Sequence, residues 1–278
     1  MDFNVVRDSP VSYSQSELNQ SLAGVRSLHV ENGSGDPLEN CLRLEKVIRG
    51  IKRVQGLEVR PRRPITATIL RQISSLLNHN NYRYLLFWAV CCTGIFGFLR
   101  SGEFATGSSY DPKIHLSLAD ISVDRTINPQ VLLLHIKASK TDQFRKGHTL
   151  RIESTNSSVC AVRAMTNYLH LRGDKPGPLF VHETGHPLTR KDLVACIKDA
   201  TARIGLEGNY SGHSFRVGAA TTAATVGIPD HLIQTMGRWL SDAYQLYIHT
   251  PTNVIEGVAV RLVYLPACTY KASNLCKL

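Results

Sequence analysis

Fifteen consecutive apolar or small residues, Leu85 to Leu99, constrain this fold more than any other segment. The run includes two glycines and falls short of the ~20 residues that a helix needs to cross a bilayer. A helix that is apolar all round offers water no face, so other elements of its own domain must wrap it. The expectation is a buried core helix and no membrane association.

The surrounding pattern is mostly helical. Leu18, Leu22, Val25 and Leu28 recur at helical spacing between Ser14 and a stop at Asn32-Gly33. A second helix is predicted from Pro37 to Val54, with Leu38, Cys41, Leu44, Val47, Ile48 and Ile51 on one stripe. Arg43, Lys46, Arg49 and Arg53 form another stripe, making that helix apolar on one side and basic on the other. Further helices are predicted at 66–79, 81–97, 158–172, 189–204, 214–226, 229–238 and 242–248. Val131 to Lys137 and His148 to Glu153 read as strands joined by the hairpin ASKTDQFRKG, and PGPLFV as a short edge strand. The fold class expected is mainly α with a small antiparallel β-sheet.

Residues 1–13 have no helical period and are expected to be disordered. A helical module over 14–55 precedes a linker at 56–64, GLEVRPRRP, whose Arg60, Arg62 and Arg63 sit among two prolines. The larger domain spans 65–255, and the tail 256–278 carries no interpretable pattern.

The formal charge of +10 and the pI near 9.4 favour a polyanionic partner. The distribution is sharper than the total. Residues 1–40 hold two Arg against six Asp and Glu, whereas 41–64 hold eight Lys and Arg against two Glu. That concentration points to a phosphate-facing surface made by Arg43, Lys46, Arg49, Arg53, Arg60, Arg62 and Arg63. Seven cysteines lack Cys-x-x-Cys or zinc-finger spacing. Reduced thiols in an intracellular protein are the expectation, in the nucleus if the source is eukaryotic.

The window SGHSFRVGAATTAATVGIPDHLIQTMGRWLSDAYQLY (211–247) holds His213, Arg216, Trp239 and Tyr247. Arg100 in GFLRSGE and Lys140 in ASKTD lie upstream. Singly, each has an ordinary structural use; their order and context make the case. Arginine forks neutralise the non-bridging oxygens of a phosphodiester as charge builds on it. A phenol can attack the phosphorus, and a Lys or His can protonate the leaving oxygen. Arginines that carry the electrostatics make a divalent metal unnecessary, and no carboxylate cluster would hold one. Tyr244, three residues from Tyr247, competes as nucleophile, and Lys137 and Lys146 compete with Lys140.

These motifs resemble the tyrosine recombinase, or phage integrase, family, and GRWLSDAYQLYIHTP is most similar to recombinases of eukaryotic mobile elements. The resemblance implies a set of Arg100, Lys140, His213, Arg216, Trp239 and Tyr247, with Glu103 at the family's acidic structural position. Tyr247, eight residues beyond Trp239, would attack the scissile phosphate, leaving a 3′-phosphotyrosyl link and a free 5′-hydroxyl. Arg100 and Arg216 would clamp the phosphate, His213 and Trp239 would complete the oxygen contacts, and Lys140 would act as the acid. It further implies double-stranded DNA as partner, a homo-tetramer on paired sites, and no cofactor. The family's N-terminal core-binding (SAM-like) module has four or five helices. Here about two precede the linker, so a truncated module is expected. The alternative is a catalytically silent DNA-binding relic of a mobile-element recombinase.

Overall fold

The computed structural model describes residues 15–55, 62–78, 81–107, 109–124, 128–140, 142 and 144–248. The expectations for 1–13, 256–278, Arg60 and most of the linker lie outside the described residues. Contacts divide the chain into two units at residue 60.

The first unit contains α1 (Gln15–Glu31) and α2 (Leu42–Gln55). Gly33, in the left-handed region at φ 74°, ends α1, and Ser34 N–H returns to the His29 carbonyl. The second helix begins at Leu42 rather than at the predicted Pro37. Asp36 accounts for the difference: its carboxylate accepts the Leu38 N–H at 3.0 Å and pairs with Arg26 at 2.7 Å, holding a turn. Asn40, at φ 57°, completes that turn. Arg43, Lys46, Arg49 and Arg53 are all exposed on α2. Val47, expected on the apolar stripe, is exposed as well.

The second unit begins, among the described residues, with an extended segment tied to its interior. Arg63 N–H donates to the Asn209 carbonyl and Ile65 N–H to that of Ser214. Helix α3 (Ala67–Ser74), capped by the Thr66 hydroxyl, stops short of the predicted residue 79. There the Ser75 hydroxyl turns back to the Gln72 carbonyl. Helix α4 (Tyr82–Phe96) is the apolar run, and every residue from Leu85 to Ile95 is buried. It packs against α6 (Ala161–Arg172) and α8 (Ser214–Thr225). A short α5 (Ser101–Phe104), which no periodicity announced, follows α4.

Strands β1 (Ile121–Val123), β2 (Val131–Ile136) and β3 (His148–Glu153) form an antiparallel sheet in that order. Leu134 lies opposite both Ile121 and Leu150. Alternation buries Leu132, Leu134 and Ile136 together with Leu150 and Ile152, so one face closes on the core. The three-residue β1 was too short for a period to register. PGPLFV makes isolated bridges (Ser117 with Pro178, Val181 with Pro187) rather than the predicted strand. Pro176 and Pro178 have no N–H to offer a ladder. Helices α7 (Arg190–Arg203) and α9 (Asp230–Gly237) follow prediction, but 242–247 is a 3-10 turn rather than an α-helix. The fold is mainly helical with a small three-stranded sheet.

Gly218 exposes how tightly α8 meets the entering chain, because a Cβ there would overlap the Ile65 carbonyl. Gly218→Ala should cost about 1–3 kcal/mol through overpacking, which urea denaturation would measure. An unchanged midpoint would show that the 62–66 segment yields freely.

Candidate active site

Four side chains singled out from the sequence meet at the N-terminal end of α8. His213 immediately precedes that helix, and Arg216 is its third residue. The His213 and Tyr247 rings lie 5.0 Å apart between centroids, and those of Trp239 and Tyr247 5.5 Å apart. The Arg216 guanidinium sits 3.8 Å from the centroid of the Trp239 ring, a cation–π contact.

Arg216 is only 1% exposed. It donates to the Phe98 carbonyl at 2.5 Å and to the Gly237 carbonyl. Burial pushes its guanidinium down to about 9, aided by the charges of Arg100 and Arg238, while Glu103 and Tyr247 oppose the shift. It still carries its charge at neutral pH. His213 is pushed down to about 4, first by burial and then by Arg62, Arg216 and Arg100. A neutral imidazole therefore faces Tyr247 at pH 7.

The two competing tyrosines are in different environments. Tyr244 is 4% exposed and packs on Trp239. Tyr247 is half-buried, and the Thr221 hydroxyl holds its backbone carbonyl at 3.1 Å. A three-residue step in a 3-10 turn would superpose the two, so burial rather than spacing separates them.

Arg100 precedes α5, and its backbone N–H and its guanidinium both bond to Glu103, at 2.9 and 3.3 Å. The same guanidinium donates to Ser139 at 2.7 Å, tying α5 to the hairpin between β2 and β3. Lys140, next along that hairpin, is exposed and lines a cleft with Arg100. Lys137 is engaged elsewhere, 2.6 Å from Asp120. The backbone N–H of Lys146 donates to Asp142. Arg62 and Arg63 are exposed, and Arg62 lies near enough to His213 to depress its protonation.

Residues 115–253, half of the chain, match the profile of the phage integrase family. The chain belongs to the phage integrase family. Solved structures of similar fold include the XerA recombinase (TM-score 0.53, 15% identity, covering 93% of this chain and 86% of that one). A Tn1549 transposon integrase in complex with transposon right end DNA gives a TM-score of 0.56 at 14% identity, covering 91% of this chain and 81% of that one. The XerH site-specific recombinase in a pre-cleavage complex with difH substrate gives 0.51 at 15% identity, covering 89% and 70%. No curated protein sequence matches this chain.

This integrase-family domain has a polar centre that the sequence did not disclose. Arg238 adopts a left-handed backbone at φ 56°, and its guanidinium meets Glu103 at 2.8 Å and the Gly97 carbonyl at 3.0 Å. Glu103 and Arg238 are 3% and 10% exposed, so a buried carboxylate bridges two arginines, Arg100 and Arg238. The left-handed turn folds Trp239 back over Gly237, where any Cβ would strike the indole. Nothing in the string GRW distinguishes Arg238 from an exposed arginine; only its distant partner does. Among the described residues, no cluster of His, Cys, Asp and Glu could hold a metal ion, and no helix is long and apolar enough to cross a membrane.

Proposed function

We propose that this chain cleaves and rejoins double-stranded DNA by transesterification through a 3′-phosphotyrosyl intermediate. The observation that carries the proposal is the grouping of His213, Arg216, Trp239 and Tyr247 at one end of α8, beside a cleft lined by Arg100 and Lys140. Family membership and DNA complexes among the structural relatives support the same partner.

Tyr247 Oη attacks the scissile phosphorus, and the bond from phosphorus to the 5′-oxygen breaks. The neutral His213 ring, whose centroid lies 5.0 Å from that of Tyr247, takes the phenol proton; Lys140 gives a proton to the leaving 5′-oxygen. Arg100 and Arg216 balance the charge that develops on the non-bridging oxygens, where a guanidinium fork outperforms a point charge. A 5′-hydroxyl from another strand reverses the step, so no external energy source is consumed. Arg216 is sealed beneath Trp239, so the duplex must lift Trp239 and the 242–247 turn before a phosphate reaches it. The basic face of α2, in the 14–55 module, tracks the DNA backbone, and the protein acts as a homo-tetramer on paired sites.

The test is covalent trapping on nicked, end-labelled duplexes from the flanks of the encoding locus, resolved on a denaturing gel. A protein–DNA band supports the proposal. Binding without a band across a pooled library would favour the catalytically silent relic.

His213 also predicts a pH dependence. Its folded value of about 4 lies below the usual 6.5, so between these values the unfolded chain takes up a proton that the folded chain refuses. This contribution is fully present above pH ~6.5 and is lost as pH falls towards ~4. Melting temperatures of wild type and His213→Gln from pH 7.5 to 4 should show the shallower acid decline in the variant. Parallel curves would remove His213 as the cause.

A further inference from the structure

The cleft beside Arg100 contains more positive charge than one phosphate needs. Arg100, Lys140, Arg145 and Arg190 line it, against two carboxylates, Glu103 and Asp142. Both carboxylates are already engaged. Glu103 is shared by Arg100 and Arg238. Asp142 accepts backbone N–H groups from Gly147 at 2.8 Å and Lys146 at 3.1 Å, and these bonds hold it below the usual carboxylate range. Arg190 pairs with no carboxylate among the described residues.

Arg190 is positioned rather than merely exposed. Its backbone N–H donates to the Thr106 carbonyl at 2.9 Å, and the reciprocal Thr189–Asp192 cap fixes the start of α7. Its guanidinium lies against the backbone of Gly102, where an added Cβ would stand 2.7 Å from Nη2. The absence of a side chain at 102 thus leaves room for the fork in the cleft that Arg100 also lines. Arg145 reaches the same cleft from the hairpin, in the left-handed region at φ 50°.

We infer that Arg190 and Arg145 hold the phosphodiester adjacent to the scissile one on the same strand, making the cleft a two-phosphate clamp. A polyanion whose charges repeat along a strand suits such a row of cations better than a single anion does. The inference rests on the proposed function, because it requires a duplex lying across the cleft.

The experiment uses the full chain and a fluorescent duplex of about 40 base pairs, from the locus flanks or of scrambled sequence. Affinity is followed by anisotropy from about 50 to 300 mM salt. Each lost phosphate contact should make the slope of log K against log salt shallower by about 0.9 and weaken binding about five- to tenfold near 0.1 M. Arg190→Ala should do this on both duplexes, and Arg190→Lys, which keeps the charge, should largely restore the slope. Arg145→Gly removes the other cation without straining its positive φ, and should also make the slope shallower. Arg203→Ala, at the far end of α7 and paired loosely with Asp199 at 3.9 Å, is the control and should leave the slope unchanged. An unchanged slope in both cleft variants, with wild type binding normally, would overturn the clamp alone. The same loss in Arg203→Ala as in Arg190→Ala would reduce the effect to a diffuse field and also overturn it. A wild type that binds neither duplex would overturn the proposed function and the clamp together.

Discussion

Tyr247→Phe should abolish the covalent protein–DNA adduct while leaving DNA affinity within about twofold, because it removes one hydroxyl and no charge. The Phe ring would keep the contacts that Tyr247 makes with His213 and Trp239. Tyr244 is a poor substitute. It is buried against Trp239, whereas Tyr247 is half-buried with its ring facing His213. Trapping on nicked duplexes separates the outcomes: an adduct that persists in Tyr247→Phe and disappears in Tyr244→Phe would transfer the role to Tyr244.

The second large effect is expected at Arg216. Losing a donor that faces developing charge typically costs about 100- to 1000-fold in rate, and Arg216→Ala should lose at least that much cleavage. The same substitution also strips the Phe98 and Gly237 carbonyls of their donor. An unpaired buried carbonyl costs about 1–3 kcal/mol, so a fall in melting temperature will accompany the catalytic loss. Arg216→Lys distinguishes the two effects. It keeps the positive charge and most of the stem, but it cannot offer a fork to two oxygens. Cleavage should still fall about 100-fold while DNA binding changes little. Near-normal cleavage by the Lys variant would remove Arg216 from the transition state and leave it a structural residue under Trp239.

Much of this arrangement was legible in the sequence because it is local. The apolar run of α4 allows no placement but the centre, and all of Leu85–Ile95 is buried. The strands β2 and β3 form within the two segments read as strands, 131–137 and 148–153. The motif window 211–247 lies within one α8–α9 hairpin and its following turn, so sequence proximity there translates into spatial proximity. Where sequence reading failed, a longer-range or side-chain effect intervened. Asp36 and Asn40 delayed α2, the prolines of PGPLFV withheld ladder donors, and β1 was too short to show a period.

What the order of residues establishes is therefore a mainly helical integrase-family domain and the identity of its chemical groups, since periodicity and motif spacing are properties of neighbours along the chain. Their states depend on neighbours in space. Burial beneath Trp239 lowers and seals Arg216, burial and three arginine charges keep His213 neutral, and packing sets Tyr247 apart from Tyr244. The Glu103–Arg238 pair joins residues 135 positions apart, and the Arg190 guanidinium lies where a side chain at Gly102 would stand. Desolvation and Coulomb interaction act through distance and burial, and neither quantity is written along the chain.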